Sequence, residues 1–277
     1  MAIKRGASME DGGEARAAAR KRRNALARIV RSRDFTRDLV VTTLGVLIAL
    51  GIGALVDEIR WRMRQAASER MMDEELAWVR GAFAYHLLSY PCVANRSEAL
   101  FELIDDARKT KKLPDIRGIG STRDFGTYGD SWNFAQSSDV MLHMTPKVAM
   151  DYSSIWVDVR YWADHSSRAR LSWQAVNELG DRPGPVSDDL LDDATRDLIA
   201  AVRASETVVG MGLKNDEKFA KRGIKRLSPD GDPFDLKKLR ADVSEQYICK
   251  PLMVDGKPYK LRESTAKPLP LPKDLQG

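Results

Sequence analysis

LVVTTLGVLIALGIGALV, Leu39 to Val56, carries no charged side chain in a chain that is 31% charged. Its strongest hydrogen-bonding side chains are Thr42 and Thr43, which in a helix can bond back to the preceding turn. A helix of this length is about 27 Å long, close to the hydrocarbon thickness of a bilayer. A core helix of a soluble domain shows a polar face, and this block has none. A cleaved signal peptide is the nearer rival, but the region before the block is too long and the block exceeds a usual h-region. Its nearest small-residue cleavage pattern, Gly51-Ile52-Gly53, lies inside the block. The block therefore reads as an uncleaved signal anchor, with Phe35 and Trp61 as interface anchors on either side.

Lys and Arg near its ends set the orientation. Residues 19–38 hold eight (Arg20, Lys21, Arg22, Arg23, Arg28, Arg31, Arg33, Arg37), and residues 57–76 hold four (Arg60, Arg62, Arg64, Arg70). The positive-inside rule keeps the amino terminus in the cytoplasm and sends the larger part across, into the periplasm of a bacterium. Within the block Gly45, Ala49 and Gly53 recur every four residues, a small-residue stripe on which another membrane helix can pack.

The whole chain has 277 residues and a net charge of +5. Residues 1–38 hold eleven Lys/Arg against five Asp/Glu, so this arm supplies the whole excess. It reads as mostly disordered, with a short basic helix over 14–31, suited to anionic lipid. No aromatics interleave with its charges, so nucleic acid is not an expected partner.

Beyond the block the periodicity is helical. Met72, Leu76, Val79, Phe83, Leu87 and Tyr90 recur at three- and four-residue spacing, so the membrane helix is expected to run on until Pro91 interrupts it. A second helix is expected over 92–110, a loop over 112–130 and a short helix over 131–142. Thr145-Pro146 is a capped helix start. Val148, Tyr152, Ile155, Val159, Trp162, Ser166, Ala169, Trp173 and Val176 then form a bundle seam ended by Gly180 and Pro183. Trp156 lies off that seam, and Trp156, Trp162 and Trp173 are the candidate partner face. Ser187 starts a helix expected to reach about Leu227, and a last helix covers 235–247. Asp255-Gly256 signals a hairpin, and 267–277 reads as an extended Pro-rich tail.

The fold class is thus all-α: an arm (1–38), one transmembrane helix (39–56), a periplasmic bundle (57–250), and a small carboxy-terminal hairpin and tail (251–277). In an oxidising compartment Cys92 and Cys249 are expected to be bridged, two separate buried thiols being the alternative. No catalytic residue, metal site or cofactor is expected. His86, His143 and His165 lack metal-ligand spacing. Met-Leu-His143-Met suggests haem or copper ligation but sits equally well at a helix end. Asp73-Glu74-Glu75 and Asp188, Asp189, Asp192 and Asp193 read as solvated faces. There is no P-loop and no nucleophile elbow.

Arg33-Asp34-Phe35 through Trp61, with the core Val40-Val41-Thr42-Thr43-Leu44-Gly45-Val46-Leu47-Ile48-Ala49-Leu50-Gly51, resembles a family of uncharacterised bacterial single-pass proteins. Pro91-Cys92 with Arg96 and Leu100 resembles its proteobacterial branch, and Trp132 with Ser137, Ser138 and Met141 is a further match. The resemblance covers about residues 35–100. It implies a helical domain outside the membrane and no activity, and the long arm and proline tail depart from it. The expected role is a non-enzymatic accessory protein of an inner-membrane assembly. Its partners are the bilayer and either other proteins or a second copy. A ligand-sensing domain that signals through a partner, and an enzyme without a recognisable motif, are the alternatives.

Overall fold

The computed structural model describes residues 20–21, 33–126, 128–228, 231–261 and 269–276. The expected basic helix over 14–31 lies outside the described residues except for 20–21, which are helical, and so do residues 267, 268 and 277 of the tail. The protein is all-α. Helix α1 (Arg33–Thr110) is followed by α2 (Asp130–Ser137), α3 (Val140–His143), α4 (Pro146–Asn177), α5 (Asp188–Lys221) and α6 (Leu236–Ser244). The chain falls into two compact units, Met1–Met63 and Arg64–Gly277.

In the first unit every large apolar side chain from Leu39 to Ile59 is exposed. This helix is long and apolar enough to cross a membrane by length and composition. A Cβ added at Gly45 or Gly53 would meet nothing within 4 Å, so at these two positions the stripe has no close neighbour among the described residues. Phe35 is exposed and Trp61 half-buried.

In the second unit α1 changes character. From Val79 to Leu87 every residue is buried, on all faces of the helix. The periodic set that began at Met72 therefore marks only one side of a helix enclosed by its neighbours. Pro91 does not break it: the helix continues to Thr110 with Pro91 inside. Proline in a helix interior costs about 3 kcal/mol. Burial before it (Phe83, Leu87) and after it (Val93, Leu100, Leu103, Ile104) holds both flanks, and outweighs that penalty.

Gly81 has a specific reason to be in this helix. A Cβ there would lie 1.9 Å from the Leu227 carbonyl oxygen. That chain segment is stitched to α1 by Leu227 N–H donating to the Ala77 carbonyl at 3.0 Å. Four charged groups close the same region. Asp216 accepts both Arg80 Nε (2.8 Å) and Nη2 (3.2 Å), and lies 2.6 Å from Arg226 Nη1. Arg226 forks onto Asp274 at 2.7 and 3.2 Å, and this holds the Asp274 carboxyl below the usual carboxylate range. Helix α1, helix α5, the segment after it and the carboxy terminus are thereby joined through paired charges, buried at Arg80, Asp216 and Arg226 and exposed at Asp274.

The α4 seam is as the spacing predicts. Thr145 caps it, accepting Val148 N–H, and Tyr152 through Val176 line the core, with Val148 half-buried. The candidate partner face is corrected: Trp156, Trp162 and Trp173 are all at 0% exposure. Trp173 Nε1 donates to Ser205 on α5 (3.2 Å), and Trp162 packs against Phe83 with ring centroids 4.8 Å apart. Helix α4 has protein on both of the faces that carry tryptophan, so these indoles are core.

Other boundaries shift for local reasons. The expected helix over 131–142 is two, α2 and α3. Helix α5 starts at the Ser187 cap but stops at Lys221, where Gly223 takes φ 79°. The expected loop over 112–130 carries strands β1 (Lys112–Leu113) and β2 (Ile116–Arg117). Strand β1 pairs with β3 (Gly184–Pro185). The Asp255-Gly256 hairpin forms, with φ of 48° and 76°, between β4 (Met253–Val254) and β5 (Lys257–Pro258). Pro258 is accommodated because β5 is an edge strand, in the order β2-β4-β5. The tail is not merely extended: Leu275 is fully buried.

Replacing Gly81 by alanine is expected to destabilise the full chain by about 2 kcal/mol or more. This holds despite the roughly 1 kcal/mol by which alanine favours a helix, because backbone must move to admit the methyl group. Urea unfolding in detergent micelles, beside a Gly210→Ala control where the added Cβ meets nothing within 4 Å, measures it.

Candidate functional site

Two segments far apart in sequence meet in the second unit: 118–123, after β2, and 246–250, around the 3₁₀ turn Tyr247–Cys249. Arg96 on α1 lies between them. Its guanidinium donates to the carbonyls of Gly118 and Ile119 (2.9 Å) on one side, and of Tyr247 (3.4 Å), Ile248 (3.2 Å) and Lys250 on the other. Only arginine presents enough donors in a fixed fork for this. Burial lowers the Arg96 pKa to about 10.

One turn before Arg96, Cys92 is bonded to Cys249, with 4.8 Å between their Cα atoms and 157 residues between them in sequence. Asn177 at the end of α4 clamps Gly120 from the other direction. It accepts the Gly120 N–H (3.1 Å) and donates to the Gly120 carbonyl (2.8 Å). Gly120 has φ 78°, and a Cβ on it would lie 2.6 Å from Ile248 N. The two segments therefore touch at backbone level, and glycine is required there.

Between them runs an open groove of about 360 Å³, lined by Gly118, Gly120, Ser121, Thr122, Arg123, Asn177, Gln246 and Tyr247. Tyr247 is 72% exposed although its backbone is locked by Arg96. The Thr122 hydroxyl is buried with no hydrogen-bond partner among the described residues. The sequence reading assigns none of these residues to a site. Two turn segments 120 residues apart carry no shared periodicity that would bring them together.

Thr122 also lines a cavity of about 10 Å³ inside the bundle, with His86, Ser89, Ser205 and apolar neighbours. His86 lies 3.4 Å from Ser166 Oγ through Nε2, and is ringed by Tyr85, Phe125 and Trp162. A serine beside a histidine suggests a nucleophile and its base. This pair is sealed in the core, and the cavity beside it is about one water in size. Burial first, and then Arg123, lower the His86 pKa to about 4 against the opposing pull of Asp124. Asp124 is held by Ser167 Oγ (2.9 Å) and Arg170 (3.3 Å).

The acidic groups have separate duties. Glu75, expected on a solvated face, caps α2 instead, accepting Gly129 N–H (2.6 Å), Ser131 N–H (3.0 Å) and the Ser131 hydroxyl. Asp73 accepts the Tyr152 hydroxyl at 2.8 Å. Asp188 pairs with Lys111 at 2.6 Å on the surface. Among the described residues, no three His, Cys, Asp or Glu side chains converge in a way that could hold a metal ion. No protein family, curated protein or solved structure matches the chain.

Neutral His86 makes stability depend on pH. Between the unfolded value of 6.5 and about 4 the unfolded chain takes up a proton that the folded chain refuses, so stability falls as pH falls through this window. The loss from this residue is expected to be about 3 kcal/mol by pH 4. His86→Asn does not titrate there. The gap in unfolding free energy between parent and variant should shift by that amount in the variant's favour from pH 7 to pH 4, measured by urea unfolding of full chains in detergent.

Proposed function

We propose that this chain is a single-pass inner-membrane protein of a bacterium, with its amino terminus in the cytoplasm and its helical domain in the periplasm. In this reading it serves as a non-enzymatic accessory subunit of a membrane assembly. The apolar helix supports the anchor, and the excess of arginine and lysine before it supports the orientation. The Cys92–Cys249 bond supports an oxidising compartment. The likeness of residues 35–100 to single-pass bacterial proteins agrees with this. The most nucleophile-like pair, Ser166 and His86, is buried in the core, which favours interaction over catalysis.

The observation that carries the accessory role is the outer face of α4. Opposite its buried seam, Met150, Val157, Tyr161 and Leu171 are all exposed. Their spacing of seven, four and ten residues keeps them on one helix face. The Asp164–Arg168 pair at 2.7 Å lies along the same stripe. An apolar stripe with a charged edge is the composition of a protein-binding surface. The second apolar face that the sequence assigned to tryptophans is here instead. A sensing role is the second reading, favoured by the groove beside Tyr247.

The test is extraction of the full chain from native membranes in mild detergent, with a tag on the cytoplasmic end and mass spectrometry of what accompanies it. Stoichiometric partners are expected with the parent. They should be lost with Met150→Glu, Val157→Glu and Tyr161→Glu combined, whose positions are exposed and should leave the melting temperature within a few degrees. A parent that arrives alone refutes the accessory role.

A further inference from the structure

We propose that the turn at α3, with Leu142 at its tip, inserts into the surface of the bilayer that takes up the apolar helix, as a second membrane contact of this chain. The proposal rests on the membrane-anchor part of the reading above.

Leu142 is 81% exposed, more than any other large apolar side chain among the described residues, those of the apolar block included. Its exposure is built in. Val140 and Met144, two residues before it and two after, are both buried and hold the turn to the core. Leu142 is left pointing away, and in water it forgoes the gain that burial would bring.

The occupant follows from where the turn lies. Within the second unit α4 runs alongside α1 in the same direction. The Tyr152 hydroxyl meets Asp73 at 2.8 Å, Trp162 packs on Phe83, and Ser166 lies beside His86. The start of α4, and the α3 turn just before it, therefore lie toward the end of the unit that begins at Arg64. Arg64 stands eight residues beyond Val56. Eight residues reach at most about 28 Å even when fully extended. A bilayer that takes up the apolar block is thus within short reach of this end, whereas a soluble partner has no such tether.

The tether also explains why so small a contact suffices. Once the chain is held in the membrane, insertion is an intramolecular event at high effective concentration. A free domain would need a larger apolar face to bind lipid. The flanking segments add exposed Phe134 on α2 and exposed Lys147 in the first turn of α4. An apolar side chain suits the acyl boundary, and a cation suits the phosphates of the headgroups.

The experiment is photocrosslinking of the full chain in liposomes of phosphatidylethanolamine and phosphatidylglycerol. p-Benzoylphenylalanine replaces, one at a time, Leu142, Leu171 near the far end of α4, and Leu47 in the apolar block. Adducts are identified by mass spectrometry. All three leucines are exposed, and unaltered circular dichroism melting certifies the fold of each variant. The Leu142 position is expected to give lipid adducts several-fold above the Leu171 position. A lipid yield at Leu142 no higher than at Leu171, or adducts at Leu142 with a second copy of the chain in place of lipid, overturns the proposal. Lipid adducts at Leu47 would then leave the anchor standing. Absence of lipid adducts at Leu47 refutes the anchor itself, and this proposal with it.

Discussion

Helix α1 joins an exposed apolar segment and a fully buried one along a single backbone, and the rest of the structure follows from the second. Its hydrogen bonds are internal, so the segment from Leu39 to Val56 needs only apolar side chains to suit a lipid interior. The segment from Val79 to Leu87 has the opposite requirement. It is buried on every face yet contains Arg80 and His86. The two ionisable groups Arg80 and His86 each have a compensating arrangement: Arg80 is neutralised by Asp216, and His86 is kept uncharged. Removing Asp216 would leave two buried guanidiniums facing each other, because Arg226 shares the same carboxylate.

Periodicity made the large elements legible. The α4 seam, its Thr145 cap, the Ser187 cap and the Asp255-Gly256 turn depend on neighbours within a few residues, and the structure has all of them. Pro91 misleads because its penalty is local whereas the burial that overrides it comes from elements distant in sequence, Leu252 and Leu275 among them. The tryptophans mislead in a related way. A second apolar face on a helix signals that something covers it, and the sequence does not say whether that something is a partner or the same chain. Here the chain covers the tryptophan side, while Met150, Val157, Tyr161 and Leu171 stay outside.

The groove was not legible because its two walls are joined through backbone groups. Arg96 recognises five carbonyls and Asn177 recognises both sides of one peptide unit, so neither leaves a sequence motif. A trace exists in hindsight: Pro91-Cys92 and Arg96 stand four and five residues apart on α1, and both Cys92 and Arg96 engage the segment around Cys249. Glu75 escaped for the same reason, since a carboxylate that caps a helix from 54 residues away looks like any surface acid.

The proposed compartment and the groove both bear on the sulfur bond between Cys92 and Cys249, since such bonds are typical of oxidising spaces and this one holds one wall of the groove. The most direct measurement is therefore its state in the cell. Intact cells would be quenched with an alkylating reagent, and the membrane fraction would be run with and without reductant before mass spectrometry of the Cys92 and Cys249 peptides. The account predicts a linked peptide pair that becomes alkylatable only after reduction. Two cysteines alkylated without reduction, in a chain recovered from the membrane, would contradict the periplasmic placement of the domain.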